Sequence, residues 1–317
     1  MQRIINRAIA MAFLAAAAST ASAQNVQFYG NIDMGISVSK LNDVSSTRVD
    51  NGNSSASIFG VRGTEDLGGG LKAIMQMEGS FKGDDGSTNA QTFNRDTFVG
   101  LTNGMHTVKL GRLKTLNRAV VLEYDAFNAS SWGVAMLAMD QNGNFAANSA
   151  QYDYASGNFK GSYQHTAGEK AGGGFDTGST DSAQVRYASG PMSVTVTHTK
   201  VDDAAPVTAS TTNTMVGAGY DFGVVKTTLM YQDSKASKVA PVDSRFVVSV
   251  TAPLSTTVNV MAQAGQVKQA NGDKSNLMVV GGQYILSKRT NLYASLLKAD
   301  LPGQDTKQMV AGIRHQF

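Results

Sequence analysis

Apolar and polar residues alternate along most of this chain, in short runs separated by turn signals. Over 26–38, Val26, Phe28, Ile32, Met34, Ile36 and Val38 fall on one face, and Gln27, Tyr29, Asn31, Asp33 and Ser37 on the other. Such a period of two marks a strand, whose side chains point alternately to opposite sides. The pattern returns at 58–62, with Phe59 and Val61 apolar, and at 71–81, where Lys72, Gln76 and Glu78 alternate with Leu71, Ala73, Met75 and Met77. It closes the chain at 309–317, with Met309, Ile313 and Phe317 on one face and Arg314 and Gln316 on the other.

Short turns are predicted at 64–70, 102–105, 156–158, 189–191, 221–223, 253–255 and 287–289. Between them lie longer polar connections at 40–54, 83–91, 113–147, 167–181, 201–212, 235–243, 268–276 and 300–307. Fifteen connections join sixteen strands. A flat sheet of that size would leave open edges and would curl or split. Long strands, alternating short and long connections and an even strand count predict an all-β fold: a transmembrane antiparallel β-barrel with short periplasmic turns and long extracellular loops. The third long connection, Leu113 to Ala147, is the one extended segment that does not read as a hairpin, and it carries Glu123, Tyr124, Asp125 and the sole tryptophan, Trp132.

Composition agrees with such a wall. The 317 residues include 33 glycines and only 5 prolines, and apolar residues are scattered singly rather than clustered into core runs. The start reads as an export signal. Arg3 and Arg7 precede the apolar run 8–18, and Ala21-Ser22-Ala23 forms a small-residue cleavage site. Residues 1–23 are therefore expected to be removed, leaving 24–317 as the barrel. Taking Arg3 and Arg7 from 27 basic residues leaves 25 against 24 acidic ones. That balance gives no case for a nucleic-acid partner. Without cysteine there is neither a disulfide framework nor a thiolate metal site. The histidines, His106, His165, His198 and His315, are scattered, without metal-ligand spacing or an evident nucleophile beside them. No metal, cofactor or enzymatic activity is expected.

Several stretches together resemble the general porins of Gram-negative outer membranes, particularly the trimeric sixteen-stranded kind of β-proteobacteria. They are Phe28-Tyr29-Gly30 with Asp33, the run from Gly60 to Ala73, and Phe93-Asn94-Arg95 leading to Val99-Gly100-Leu101. Leu110-Gly111-Arg112, the run from Leu286 to Tyr293, and the end from Gly312 to Phe317 complete the set. The resemblance spans the chain after residue 23. It implies a homotrimer of water-filled barrels in outer-membrane lipid, passing small hydrophilic solutes and ions. It implies that the third loop, 113–147, folds into the lumen and sets Glu123 and Asp125 opposite Arg62, Arg95 and Arg112. It also implies that the barrel-assembly machinery reads the terminal Phe317. Ile58 stands where that family usually has a pore-facing arginine, which predicts a thinner basic side.

Strand parity independently assigns Arg62, Lys72, Glu78, Arg95, Lys109, Arg186, Lys226, Arg245 and Arg314 to the lumen. A charge on the lipid face costs roughly 2–4 kcal/mol near the bilayer midplane. The same parity places Asp96 outside, and Phe28, Phe59, Phe98, Tyr187, Tyr231, Phe246 and Phe317 in outward aromatic girdles. The mixed charges favour a general diffusion pore. A channel specific for a sugar or carboxylate, and a barrel plugged by 113–147 as in an adhesin, are the alternatives left open.

Overall fold

The computed structural model describes residues 25–128, 130–169, 178–202, 211–236 and 242–317. The expected export segment lies outside them, as do parts of the connections 167–181, 201–212 and 235–243. The wall is built in chain order from β1 (Asn25–Leu41), β2 (Val44–Asn51), β3 (Ile58–Gly68), β4 (Leu71–Ser80), β5 (Thr97–Thr102) and β6 (His106–Lys114). After the long loop come β7 (Phe145–Ser156), β8 (Phe159–Thr166), β9 (Thr180–Ser189), β10 (Met192–Val201), β11 (Thr211–Asp221) and β12 (Lys226–Ala236). The last five are β13 (Val242–Pro253), β14 (Val258–Gln269), β15 (Lys274–Ile285), β16 (Thr290–Leu301) and β17 (Gln304–Gln316). Within the loop lie α1 (Leu116–Tyr124) and α2 (Val134–Ala138).

All pairings are antiparallel, and β1 pairs with β17 from Asn31↔Gln316 to Leu41↔Thr306, so the sheet closes. β2 and β3 are two halves of one wall strand. Both pair with β1, as Met34↔Asn51 and Asn31↔Ile58, and residues 52–57 leave the wall between them. Counted so, the seventeen segments make a closed barrel of sixteen strands. Closure leaves no edge, so the wall strands pair with one another all the way round, as hydrocarbon surroundings demand. The last residue helps seal it: Gly30 and Phe317 exchange two backbone hydrogen bonds of 3.2 and 3.0 Å, and the Phe317 ring stacks on Phe28 at 5.6 Å.

The outward face is apolar, with Phe28, Val99, Val185, Met278 and Leu296 among its exposed side chains. Three expected loops are mostly strand. The stretch 40–54 is the β1–β2 hairpin around Asn42-Asp43, 268–276 holds a four-residue turn, and 300–307 holds only Pro302-Gly303. Above the bilayer both faces of a strand are wet. The alternation then disappears while the backbone ladder continues.

The assignment of β5 is corrected as well. Phe98 is the register partner of Gln76, and Gln76 of Arg62, which puts Phe98 on the inner face rather than in the girdle. Asp96 shares that inner side. Its Oδ1 accepts from the Lys114 backbone N–H at 2.8 Å, and its Oδ2 lies 3.5 Å from Lys114 Nζ. Arg95 precedes the first residue of β5, so strand parity does not govern its side chain.

Candidate functional site

The long third loop folds inward and lies against one half of the wall. Thr115 caps α1 by accepting from the Arg118 N–H at 3.2 Å. In the helix, Leu116, Val120 and Tyr124 recur every fourth residue, as do Asn117 and Val121, and this face is buried. α1 packs on β9 to β12, and α2 on β13 to β15. The wall meets them with apolar side chains that point inward: Met215, Met230, Val247, Met261 and Val279 join Val120, Val121, Tyr124, Phe127, Trp132 and Val134 in one core. Burying a valine or methionine side chain contributes roughly 1.5–3 kcal/mol. The loop is therefore a fixed part of the lumen.

Two glycines admit it. A Cβ on Gly217 would collide with the Tyr124 ring, and one on Gly265 would lie 2.6 Å from Val134 Cγ1. Gly217→Val should keep β11, because valine favours strands, yet force Tyr124 and α1 off the wall. Overpacking of this kind costs about 1–3 kcal/mol. The expected result is a lower unfolding temperature together with altered single-channel conductance. An unchanged conductance would mean that α1 does not depend on this socket.

Wall glutamines tie down the loop backbone. Gln164 Nε2 donates to Lys114 O at 2.9 Å, and Gln184 Nε2 to Leu116 O at 3.1 Å. Gln232 donates to Asp140 O at 2.9 Å and accepts from its N–H at 2.8 Å. Gln263 accepts from Ala135 N–H at 3.2 Å and donates to Asp125 Oδ1 at 2.7 Å. Nothing in parity distinguishes these glutamines from simple lining residues, so the pattern of alternation does not single them out.

On the opposite side the loop meets the inward segment 52–57. Trp132 Nε1 donates to Asn53 Oδ1 at 2.7 Å, Ser131 Oγ donates to Gly52 O at 3.2 Å, and Ser130 Oγ donates to Asn53 O. Asp33, fully buried, holds that segment. Its carboxylate accepts from the N–H groups of Asn53, Ser54 and Ser55 at 3.2, 3.0 and 2.9 Å and from the Tyr293 hydroxyl at 2.6 Å.

The expected site residues fall into two groups. Glu78 accepts from Tyr29 Oη at 2.7 Å and is ion-paired with Arg95, whose guanidinium also lies over the Phe145 ring. Lys109 pairs with Asp153 at 2.9 Å, and Glu123 with Arg186 at 2.7 Å. Asp125 is buried; its Oδ1 accepts from Gln263 and from the Phe127 N–H at 2.9 Å. Arg112 sits in a β-bulge between Gly111 and Leu113 and donates to Asn94 O at 2.9 Å. Arg62 instead forks onto Gln27 Oε1 at 2.9 and 2.7 Å. Neither it nor Lys72 has a carboxylate within ion-pair distance among the described residues; the same holds for Lys160 and Lys226, both on the inner face of the wall.

One buried cation was missed. Arg118 of α1 is 7% exposed, donates to Gln141 Oε1 at 2.5 Å and touches the Met136 sulfur. Burial, aided by nearby Arg95, pulls its guanidinium down to about 10, so it remains charged at neutral pH.

A closed, lipid-faced barrel with an inward loop and charged inner walls defines a transmembrane channel protein. The comparisons agree. The family model described as Gram-negative porin matches residues 10–303, and the chain belongs to that family. Outer membrane porin protein 32 of Delftia acidovorans is 30% identical over 91% of this chain and 87% of its own length. An outer membrane porin protein of Bordetella pertussis is 29% identical over 98% of this chain and 99% of its own length. Among solved structures, an anion-selective porin from Comamonas acidovorans superposes with a TM-score of 0.83, at 26% identity, over 93% of this chain and all of that one. The chain is an outer-membrane diffusion channel.

Proposed function

We propose that this channel passes small hydrophilic solutes and ions through a charged constriction formed by the loop 113–147, with a preference for anions. The observation that carries the preference is the pairing of charges. The mid-lumen carboxylates Glu78, Asp96, Glu123 and Asp153 are each ion-paired, whereas Arg62, Lys72, Lys160 and Lys226 face the lumen without carboxylate partners among the described residues. Paired charges cancel at a distance, so the residual field in the passage is positive, and rings of such side chains bias ion passage. The Comamonas acidovorans neighbour carries anion selectivity in its title, which supports the same reading. Arg62, Lys72, Glu78, Arg95, Lys109 and Arg112 line the constriction from the wall side, and Glu123 and Asp125 from the loop side. Asp125 acts mainly through the wall glutamine that holds it. Residues 1–23 direct export, and Phe317 at the seam serves as the assembly signal.

The working unit is a trimer. A porin-fold structure of OmpT from Vibrio cholerae is described as a trimer form, at a TM-score of 0.69 and 16% identity. The test is conductance of the detergent-purified protein in a planar bilayer under a potassium chloride gradient. Large conductance in three equal steps, with a zero-current potential on the anion-selective side, is the expected result. A cation-selective potential would overturn the charge argument. Absence of steps from heat-modifiable protein would favour a plugged barrel.

A further inference from the structure

The inner face of a channel wall meets water and is polar as a rule, yet Phe98 of β5 stands on it. Its register partners are Gln76 on β4 and Gly111 on β6, so the neighbouring strands set one amide and no further side chain beside the ring. Phe98 is not a member of the core that seats the loop. The Lys109 ammonium lies over the ring, 5.7 Å from its centroid. A half-buried aromatic ring is thus used neither by the wall nor by the loop.

The ring borders a recess of about 290 Å³ between the wall and the start of α1. Leu113, Leu116 and Ala119 line it from the loop, and the small side chain of Ala119 leaves its space open. Lys109, Lys114 and Lys160 line it from the wall. Phe98 and Lys160 each stand a few residues from a short turn, so the recess lies in the half of the lumen nearer those turns.

Most polar groups around this recess are already engaged. Gln184 Nε2 donates to Leu116 O at 3.1 Å and to Thr197 Oγ1 at 2.9 Å. Gln151 Nε2 and Ser162 Oγ donate to Asp153 at 2.8 and 2.6 Å. Lys109 pairs with Asp153, and Lys114 with Asp96. A polyhydroxylated solute would break a bond for nearly every one it made. Lys160 differs. It has no carboxylate within ion-pair distance among the described residues, and its register partner on β9 is another cation, Arg186, itself paired with Glu123. One spare positive charge beside one spare ring suits a solute with one negative charge and one ring. The volume lies at the lower end of the range for ligand pockets, which suits a solute no larger than that.

We infer that this recess is a transient binding site for aromatic monocarboxylates on their way through the channel, with the carboxylate on Lys160 and the ring between Phe98 and the Leu116–Ala119 face of α1. The inference rests on the passage along the loop-narrowed lumen proposed above. Ring against ring is a favoured contact, and a single exposed ammonium holds a carboxylate weakly. Weak holding is what conduction requires, since a solute that enters must also leave.

The test is fluorine NMR of small probes mixed with the full barrel in neutral detergent, with protein-free micelles as the baseline. The probes are para-fluorobenzoate, para-fluorobenzyl alcohol, which has the ring without the charge, and fluoroacetate, which has the charge without the ring. Only para-fluorobenzoate should broaden well beyond the baseline. Lys160→Gln and Phe98→Leu should each reduce that broadening several-fold. Lys226→Gln removes the same charge beside a different recess, next to Glu123 and Asp125, and should leave the broadening as it is. Heat-modifiable migration shows that each variant has folded. Equal broadening of either control probe would overturn the inference. So would a response that survives Lys160→Gln or Phe98→Leu, or one that Lys226→Gln weakens as much as Lys160→Gln does. The zero-current potential of the same preparation in potassium chloride reports on the anion preference separately. A cation-selective potential with para-fluorobenzoate still bound at Lys160 and Phe98 would remove that preference and keep the site, whereas an anion-selective channel without excess broadening would remove the site and keep the preference.

Discussion

Channels carrying Asp33→Ala should open wider and flicker, and their barrels should unfold at a lower temperature. Asp33 occupies a cradle of three backbone N–H groups and one tyrosine hydroxyl in a site without solvent exposure. Each buried donor left without an acceptor costs roughly 1–3 kcal/mol. Segment 52–57 contributes few apolar side chains to offset that, so it leaves the inner wall rather than stay dry and unbonded. Asn53 leaves with it, and the loop loses the partner of Trp132 Nε1 and of Ser130. The two helices remain seated on β9 to β15 through Tyr124 and Val134, so the barrel survives while the loop tip is freed. Single-channel recording reads this as larger mean current with added noise. Asp33→Asn is the control, since an amide oxygen can accept some of the same bonds, and it should lie between the two. Quiet, unchanged current in Asp33→Ala would mean that the loop tip is held without the segment.

Reversing the unpaired cations should change which ions pass. With Lys160→Glu and Lys226→Glu together, the lumen loses two positive charges and gains two negative ones, while every ion pair of the constriction is kept. The anion-to-cation permeability ratio should fall several-fold, and the zero-current potential should change sign. Lys114→Gln is expected to do less, because it removes one member of a pair and exposes Asp96 in exchange. The effect should shrink in concentrated salt, since screening at 1 M confines a charge to about 3 Å. A ratio unmoved by both reversals would put the selecting charges elsewhere, with Arg62 and Lys72 as the next pair to exchange.

The wall was legible because membrane strands separate lipid from water, and that separation is written at period two. The reading failed where the separation fails. Above the bilayer, Val44–Asn51 has water on both sides, so a strand looks like a polar loop. In the middle of β11 to β15 the inner face meets the loop rather than water, so Met230, Val247 and Val279 are apolar between apolar outward neighbours. Runs such as Leu229-Met230-Tyr231, Phe246-Val247-Val248 and Met278-Val279-Val280 break the alternation and mark where the loop docks. Strand parity carried through Arg95, which precedes the first residue of β5, puts Phe98 and Asp96 on the wrong face. The side-chain partners were out of reach for another reason: the ion pair of Glu123 with Arg186 and the hydrogen bond of Asp125 with Gln263 join residues 63 and 138 positions apart. No local pattern encodes such partners.

Those separations also set an order of events. The loop leaves the wall after β6, yet Gln232 and Gln263, the residues that hold its second half, belong to strands made much later in the chain. Its other anchor, Asn53, is made well before it. Contacts between parts so remote in sequence form only after the intervening chain has been brought together. The loop therefore has no complete seat until the wall has advanced to β15. A cylinder stalled before that point would be a broad leak, so the inward loop doubles as a mark of completed construction.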